Sequence, residues 1–162
     1  MERQYTRLDE ARKLIDPLIK GIADEEEKRC AYVHLYGTGL LAALLALKRG
    51  CSRETAEMAE IAGILHDLLT YVDSSKDGLD HAPLCADYAR EKVLDRLPCF
   101  SEEEKAMMYQ GIYNHSDKHK TDSAFDEIIK DADAAHHALR NPREDYFFQK
   151  ERIQRVLREL TE

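Results

Sequence analysis

Apolar residues recur at helical spacing along almost the whole chain. One face of the first such segment carries Leu8, Ala11, Leu14 and Leu18. The final segment, from about residue 143 to 161, has the same amphipathic pattern, and no stretch alternates apolar and polar positions as a half-buried strand would. The pattern therefore predicts an all-α protein of six to seven helices, forming one compact domain over residues 1–162.

Capping residues mark the ends of several predicted helices. The second helix starts near Asp24, where an Asp-Glu-Glu-Glu run suits the electrostatics of a helix N-terminus, and it continues to Gly50, a typical C-terminal stop. Ser52 can cap a third helix that ends near residues 66–69. Ser101, with Glu104 three positions later, is a capping box, in which each side chain bonds the other residue's backbone amide.

The rest of the chain is assigned from the same periodicity and from turn-forming residues. The remaining predicted segments are a helix from His81 to Pro98, a helix from Ser101 to about His115, a polar loop over 116–123, a helix from Ala124 to Arg140, and a break at Asn141-Pro142. The Tyr146–Phe148 cluster is expected to pack in the core and to seat the last helix.

Composition and charge limit the classes of partner. Apolar residues make up 43% of the chain and charged residues 35%, with a net charge of −8. An acidic protein lacks the basic footprint with which proteins neutralise polymeric nucleic acid, so we expect no such partner. The longest nearly apolar run, Gly39–Leu47, is shorter than the ~20 residues of a membrane span, so no membrane partner is expected. The start of the sequence lacks a signal-peptide core, and the four cysteines form no CxxC pair, which favours a cytoplasmic protein with reduced thiols.

Histidines and aspartates supply the candidate chemistry. Their imidazole and carboxylate side chains are common metal ligands. Six of them lie on separate apolar segments: His34, His66, Asp67, His81, His115 and Asp133. A lone histidine on an apolar helix is more often a hydrogen-bonded core residue than a ligand. However, an unpaired charge beside Ala62–Leu65 would cost several kcal/mol, and a metal ion bound by the same groups would offset that cost. We therefore predict a site for divalent transition metal ions, with Asp67 and His66 at its centre.

These residues resemble the HD-domain superfamily of metal-dependent phosphohydrolases. The resemblance covers about residues 30–140: a histidine (His34), an adjacent His-Asp pair (His66-Asp67) and a distal aspartate, matched here by Asp133, with Asp131 as the alternative if the register is shifted by two. His81 and His115 are similar to the additional ligands of the dinuclear branch, which includes diadenosine-tetraphosphate hydrolases and cyclic-dinucleotide phosphodiesterases.

The resemblance implies a mechanism and a class of substrate. His34, His66, Asp67 and Asp133 would hold one metal, and Asp67 would bridge to a second held by His81 and His115. The implied reaction is attack of a metal-bound hydroxide on a phosphate ester of a small nucleotide or dinucleotide. This donor set suits one or two ions of Fe, Mn, Ni, Co or Zn better than Ca or Mg.

One position departs from the family pattern. Many members carry a lysine three residues after the aspartate of the His-Asp pair, and this chain has Thr70 there. Candidate substrate-binding residues that lie elsewhere are Lys118, His119, His136 and Arg140. Other cations that could compensate for the missing lysine are Lys76, Lys120 and Arg143, each also explained as a solvated surface charge.

Two alternatives to an enzyme follow from the same features. The missing lysine suits an HD fold that keeps a metal and binds or senses a nucleotide with little turnover. A purely structural helical domain with buried histidines would need six coincidences of residue type and position. A third alternative, a dinucleotide-binding motif at Gly37–Ala42 (GTGLLA), requires a preceding strand, and the residues before it are predicted to be helical.

Overall fold

The computed structural model describes residues 6–76, 80–141 and 149–162. In these ranges the helices are α1 (Arg7–Lys20), α2 (Glu25–Lys48), α3 (Arg53–Leu65), α4 (Leu68–Val72), α5 (His81–Lys92), α6 (Glu102–Asn114), α7 (Ala124–Arg140) and α8 (Lys150–Thr161). Short 3-10 turns occupy Ser74–Lys76 and Leu94–Arg96. The described part of the chain contains no strand, and α4 is the one α-helix there shorter than 12 residues, so the all-α prediction of six to seven helices is confirmed.

The predicted caps form where the sequence places them. Ser52 accepts a hydrogen bond from the backbone amide three positions later, and Asp24, at the predicted start of the second helix, does the same. Ser101 and Glu104 form both bonds of the capping box. Gly50 has a φ of 77°, a backbone conformation that glycine adopts without strain, and it ends the path of α2. Local chemistry therefore fixes these boundaries.

The predicted helix from His81 to Pro98 is too long, because α5 ends at Lys92. At Val93 the backbone leaves helical geometry, with φ −128° and ψ −63°. Val93 and Leu94 are both fully buried, so the chain turns inward at this point to place them in the core. A tertiary contact, which capping rules do not capture, ends the helix early.

Some predictions fall outside the described residues. These are the break at Pro142, the cation Arg143, the Tyr146–Phe148 cluster, and the start of the last helix near 143. Within the described range, α8 begins at Lys150.

Helices α2 and α3 cross at a very short distance. A Cβ atom added to Gly63 would lie only 2.8 Å from the Cα of Gly39. Gly37 makes room on another face of α2, where an added Cβ would lie 2.1 Å from Nε2 of His136 on α7. The glycines of the Gly37–Ala42 sequence thus allow close helix contacts around His34, and the dinucleotide-binding interpretation of that sequence is wrong because it lies inside α2.

Helix α2 is long and apolar enough to cross a membrane by length and composition alone, a test that core helices of soluble proteins also pass. The nearly apolar run Gly39–Leu47, which we compared with a membrane span, is therefore only part of the apolar length of α2. In the fold, α2 packs against α3 and α7 and buries His34 and Leu35. Its opposite face leaves Leu40 and Leu44 exposed.

Candidate metal centre

Four predicted site residues converge between α2, α3 and α7. His34 lies within α2, His66 directly follows α3, Asp67 precedes α4, and Asp133 lies on α7. One ligand atom from each lies within 4.8 Å of the corresponding atoms of the other three. The Nε2 atoms of His34 and His66 are 3.2 Å apart. This spacing is suitable for a single ion.

A second group adjoins the first through Asp67. His81, at the start of α5, and His115, directly after α6, place their Nε2 atoms 3.2 Å apart. Each Nε2 lies 3.1 Å from Oδ1 of Asp67. The other oxygen, Oδ2, lies 3.3 Å from Nε2 of His66 in the first group. One carboxylate therefore faces both groups with different oxygens.

The backbone fixes the orientation of two of the histidine rings. Nδ1 of His66 donates to the carbonyl of Gly63 over 2.7 Å, and Nδ1 of His115 donates to the carbonyl of Ile112 over 2.7 Å. A neutral imidazole protonated at Nδ1 carries its lone pair on Nε2. Both rings thus direct Nε2 at the carboxylate oxygens of Asp67, and this is the nitrogen that can bind a metal ion when it carries no proton.

Two buried carboxylate oxygens lack a well-directed hydrogen bond within the described structure, Oδ1 of Asp67 and Oδ1 of Asp133. The nearest nitrogens are Nε2 of His81 and His115, each 3.1 Å from Oδ1 of Asp67, and Nε2 of His137 and His66, 3.2 and 3.3 Å from Oδ1 of Asp133. Leaving such atoms unsatisfied is costly in a native structure. Metal coordination would satisfy both oxygens, so the residues present fit a metal centre.

The two carboxylates of the site favour a positive charge between them. Burial alone would lower the pKa of His66, but the carboxylates of Asp67 and Asp133 outweigh it and raise this pKa to about 10. Burial would raise the pKa of both aspartates, yet neighbouring cations and histidines hold these pKa values well below the usual range. By contrast, burial lowers the pKa of His34 to about 4, which keeps this ring neutral and able to ligate.

The structure distinguishes the two candidate aspartates of α7. Asp133 faces the histidines, with Oδ1 lying 3.3 Å from Nε2 of His66. Asp131 is fully buried on another side of α7 and accepts hydrogen bonds from Arg49, Arg152 and Arg155. Asp133 therefore lies in the group that could hold a metal ion, and Asp131 belongs to an arginine cluster.

Lys118 brings a positive charge to the edge of the centre. Its Nζ lies 2.6 Å from Oδ2 of Asp133, and its side chain is only 10% exposed. The loop that carries it is held by Lys130, a fully buried residue of α7 that donates to the carbonyl of Lys120 and to Asp122, both over 2.7 Å. Sequence periodicity gave no sign of this anchor, because a lysine on a helix is expected in solvent.

The other predicted substrate-binding residues lie at different depths. Nδ1 of His136 lies 3.0 Å from Nδ1 of His34, and burial lowers the pKa of His136 to about 4. Arg140 interacts with the hydroxyl of Tyr71, whose ring lies 6.1 Å from that of His34. His119 is exposed on the loop beside Lys118. His136 and Arg140 thus lie near the first ligand group, and His119 lies at the surface.

Two residues near the centre, His137 and Tyr71, are not among the predicted ligands or substrate-binding residues. His137 places Nε2 3.2 Å from Oδ1 of Asp133, one helical turn along α7, a spacing that makes such contacts common. Tyr71 had no role assigned to it.

Two of the cations that could compensate for the missing lysine lie elsewhere: Lys120 pairs with Asp122, and Lys76 is exposed in a 3-10 turn. Neither is in contact with the ligand groups.

Comparison with known proteins identifies the family. The family model described as "HD domain" matches residues 31–138, about two-thirds of the chain. Comparisons with curated proteins and with solved structures gave no significant match. Proteins of the matched family are generally metal-dependent hydrolases. The matched range contains all six residues of the two ligand groups, and the chain belongs to the HD-domain family.

Proposed function

We propose that this protein is a metal-dependent phosphohydrolase with two adjacent metal sites, acting on a phosphate ester of a small nucleotide or dinucleotide. The observation that carries the proposal is the position of Asp67, whose two oxygens face two separate histidine groups 3.1–3.3 Å away. Such a shared carboxylate is what a two-metal site requires. It supports assignment to the dinuclear branch of the family.

The ligand assignments follow from the two groups. His34, His66, Asp67 and Asp133 would hold the first ion, and Asp67, His81 and His115 would hold the second. Neutral imidazoles with carboxylates suit Fe, Mn, Ni, Co or Zn. When bound, two such ions lower the pKa of a water molecule and neutralise charge on a phosphate ester, so that water adds to phosphorus while the ester oxygen leaves as an alcohol.

Residues of this chain would orient the substrate. Thr70 cannot replace the lysine of other members, because its hydroxyl is engaged with the carbonyl of Asp67 over 2.8 Å. Lys118 supplies a cation at the centre from a different loop. Arg140 and His136 lie on the side of the first ligand group. We propose that Lys118, His119, His136 and Arg140 together contact the phosphate and the remainder of the substrate.

The net charge of −8 supports a small substrate over polymeric nucleic acid, which needs a broad basic surface. We propose a cytoplasmic protein with no membrane partner. The buried face of α2, which carries the ligand His34, supports a role for this helix in the core.

A nucleotide-binding or regulatory module is the second candidate. The engagement of Thr70 with the backbone removes the usual phosphate contact, which favours binding with little turnover. Both candidates require the metal, and they differ only in catalysis.

The test is metal content followed by turnover. Purified protein is analysed for moles of Fe, Mn, Ni, Co and Zn per chain, then assayed with bis(p-nitrophenyl) phosphate and p-nitrophenyl phosphate. Two equivalents with metal-dependent release of nitrophenol, abolished by Asp67→Ala, is the expected result. Bound metal with no turnover of any phosphate ester supports the binding module, and failure to bind metal even after reconstitution would overturn both.

A further inference from the structure

A basic cavity lies between α8 and the loop that follows α6. Its volume is about 890 Å³. Basic side chains that line it are Lys118, His119, Lys150, Arg152, Arg155 and Arg158. Glu151 is the one acidic residue among its described lining. In a chain with a net charge of −8, this is a strong local concentration of positive charge.

Part of that charge is already neutralised. Arg152 and Arg155 place guanidinium nitrogens 2.6 and 2.8 Å from Oδ1 of the buried Asp131. For Lys150 and Arg158 the described residues provide no ion pair, and both side chains are exposed. The positive charges of Lys150 and Arg158 are therefore available to bind an anion. The side chain of Arg155 is 50% exposed and can also contact one.

The cavity adjoins the metal centre through one residue. Lys118 lines the cavity and also places Nζ 2.6 Å from the ligand oxygen Oδ2 of Asp133. Its carbonyl accepts a hydrogen bond from Arg152 over 2.9 Å, so α8 fixes the position of this loop. An anion in the cavity and a phosphate at the metal centre would thus lie on two sides of the same lysine.

We propose that this cavity is an anion subsite, which binds phosphate groups of the substrate beyond the one that is cleaved. The inference rests on the proposed function and specifies the substrate as one that carries an oligophosphate chain. Lys150 and Arg158, the two cations without an ion pair, lie eight positions apart on α8, which is about 12 Å at 1.5 Å per residue. That span exceeds a single phosphate group, and guanidinium groups bind phosphate oxygens in a bidentate manner.

Binding is tested first without metal, using inorganic tripolyphosphate as the probe and isothermal titration calorimetry at low ionic strength. The double variant Lys150→Gln/Arg158→Gln removes the two cations that have no ion pair and alters only exposed side chains. We expect its affinity for tripolyphosphate to fall at least tenfold. The control is Arg53→Gln, which removes one charge from an exposed position beside Glu54 and Glu57, and its affinity should remain that of the wild type.

A kinetic readout follows in the metal-loaded protein. The ratio of kcat/KM for an oligophosphate ester to kcat/KM for p-nitrophenyl phosphate should fall at least fivefold in the double variant, mainly through KM, and should be unchanged in Arg53→Gln. If tripolyphosphate binds through Lys150 and Arg158 but no ester is hydrolysed, the subsite stands and the proposed hydrolase function fails. Equal tripolyphosphate affinity in the wild type and the double variant would overturn the subsite, whether or not esters are hydrolysed.

Discussion

Asp131 and Asp133 lie two positions apart on α7 and serve different networks. Asp131 is fully buried and lies 2.6 Å from Arg49, which directly follows α2, and 2.6 Å from Arg152 on α8. Asp133 lies 3.3 Å from Nε2 of His66. Positions two apart on a helix point about 200° away from each other. The first carboxylate therefore joins three helices, and the second faces the metal centre.

This division predicts different outcomes for two conservative substitutions. Asp131→Asn should lower the free energy of unfolding by on the order of 3 kcal/mol, because partly buried arginines lose their anionic partner, yet it should keep the metal. Asp133→Asn should lose at least one equivalent of metal per chain. Urea denaturation and elemental analysis measure the two effects. Loss of metal from folded Asp131→Asn, with retention in Asp133→Asn, would reverse the assignment.

The two ligand groups should lose their metals separately. His81 contacts the centre through Asp67 Oδ1 and His115, and it is absent from the first group. His81→Ala should therefore reduce the metal content from two equivalents to one. His66→Ala should remove the ion of the first group.

The control for that experiment is His119→Ala. It removes an exposed histidine that belongs to neither ligand group and should retain two equivalents. Circular dichroism confirms that each variant remains helical. A His81→Ala protein that still binds two ions would show that the second group is not a metal site.

Much of the fold could be predicted because it depends on local signals. The boundaries of α7 match those predicted from periodicity, and Ser52 and Ser101 cap helices as expected. The six candidate ligands were recognisable because histidines and aspartates are unusual on apolar helices. Their convergence into two groups around Asp67 follows the order that the family resemblance implied.

Other features depend on contacts between distant segments. Asp131 and Asp133 both lie in a buried stretch of α7 beside Ala132, so periodicity gave no basis for choosing between them; the arginines of α8 distinguish them. Helix α5 ends before Val93 because the side chain of Val93 is buried in the core. The bond from Lys118 to Asp133 joins a loop to a helix fifteen positions along the chain, and no local pattern indicates it.

The raised pKa of His66 predicts that metal binding releases a proton. In the metal-free protein the pKa of His66 is about 10, against an ordinary value of 6.5, so this ring is protonated at pH 7.5. A histidine must be neutral to bind a metal ion. Calorimetric titration with Mn²⁺ in buffers of different ionisation enthalpy should show release of about one proton per first ion, and metal affinity should rise with pH.

The same shift has a consequence for the stability of the metal-free protein. Because the folded-state pKa is raised, the contribution of His66 is fully present below about pH 6.5 and is lost as the pH rises through 10. His66→Ala should remove both this dependence and the proton release. Heats of Mn²⁺ binding that do not vary with the buffer would contradict the assignment.

The crossing of α2 and α3 predicts a stability effect that is tied to the metal centre. An alanine Cβ at Gly63 would lie 2.8 Å from Cα and 3.0 Å from the backbone nitrogen of Gly39. Because these are backbone atoms of a buried helix, the helices must separate. Gly63→Ala should lower the free energy of unfolding by about 1–3 kcal/mol, and it should weaken metal binding because His34 moves away from His66.

Gly21→Ala provides the matched control. Its backbone has a φ of −73°, and an added Cβ would lie 3.4 Å from the carbonyl oxygen of Leu18, an ordinary contact. Restricting the unfolded chain at such a position stabilises a protein by about 0.4–1 kcal/mol. Urea midpoints should therefore shift in opposite directions for the two variants. A Gly63→Ala protein as stable as Gly21→Ala, with unchanged metal affinity, would show that the helix crossing does not set the distance between the two histidines.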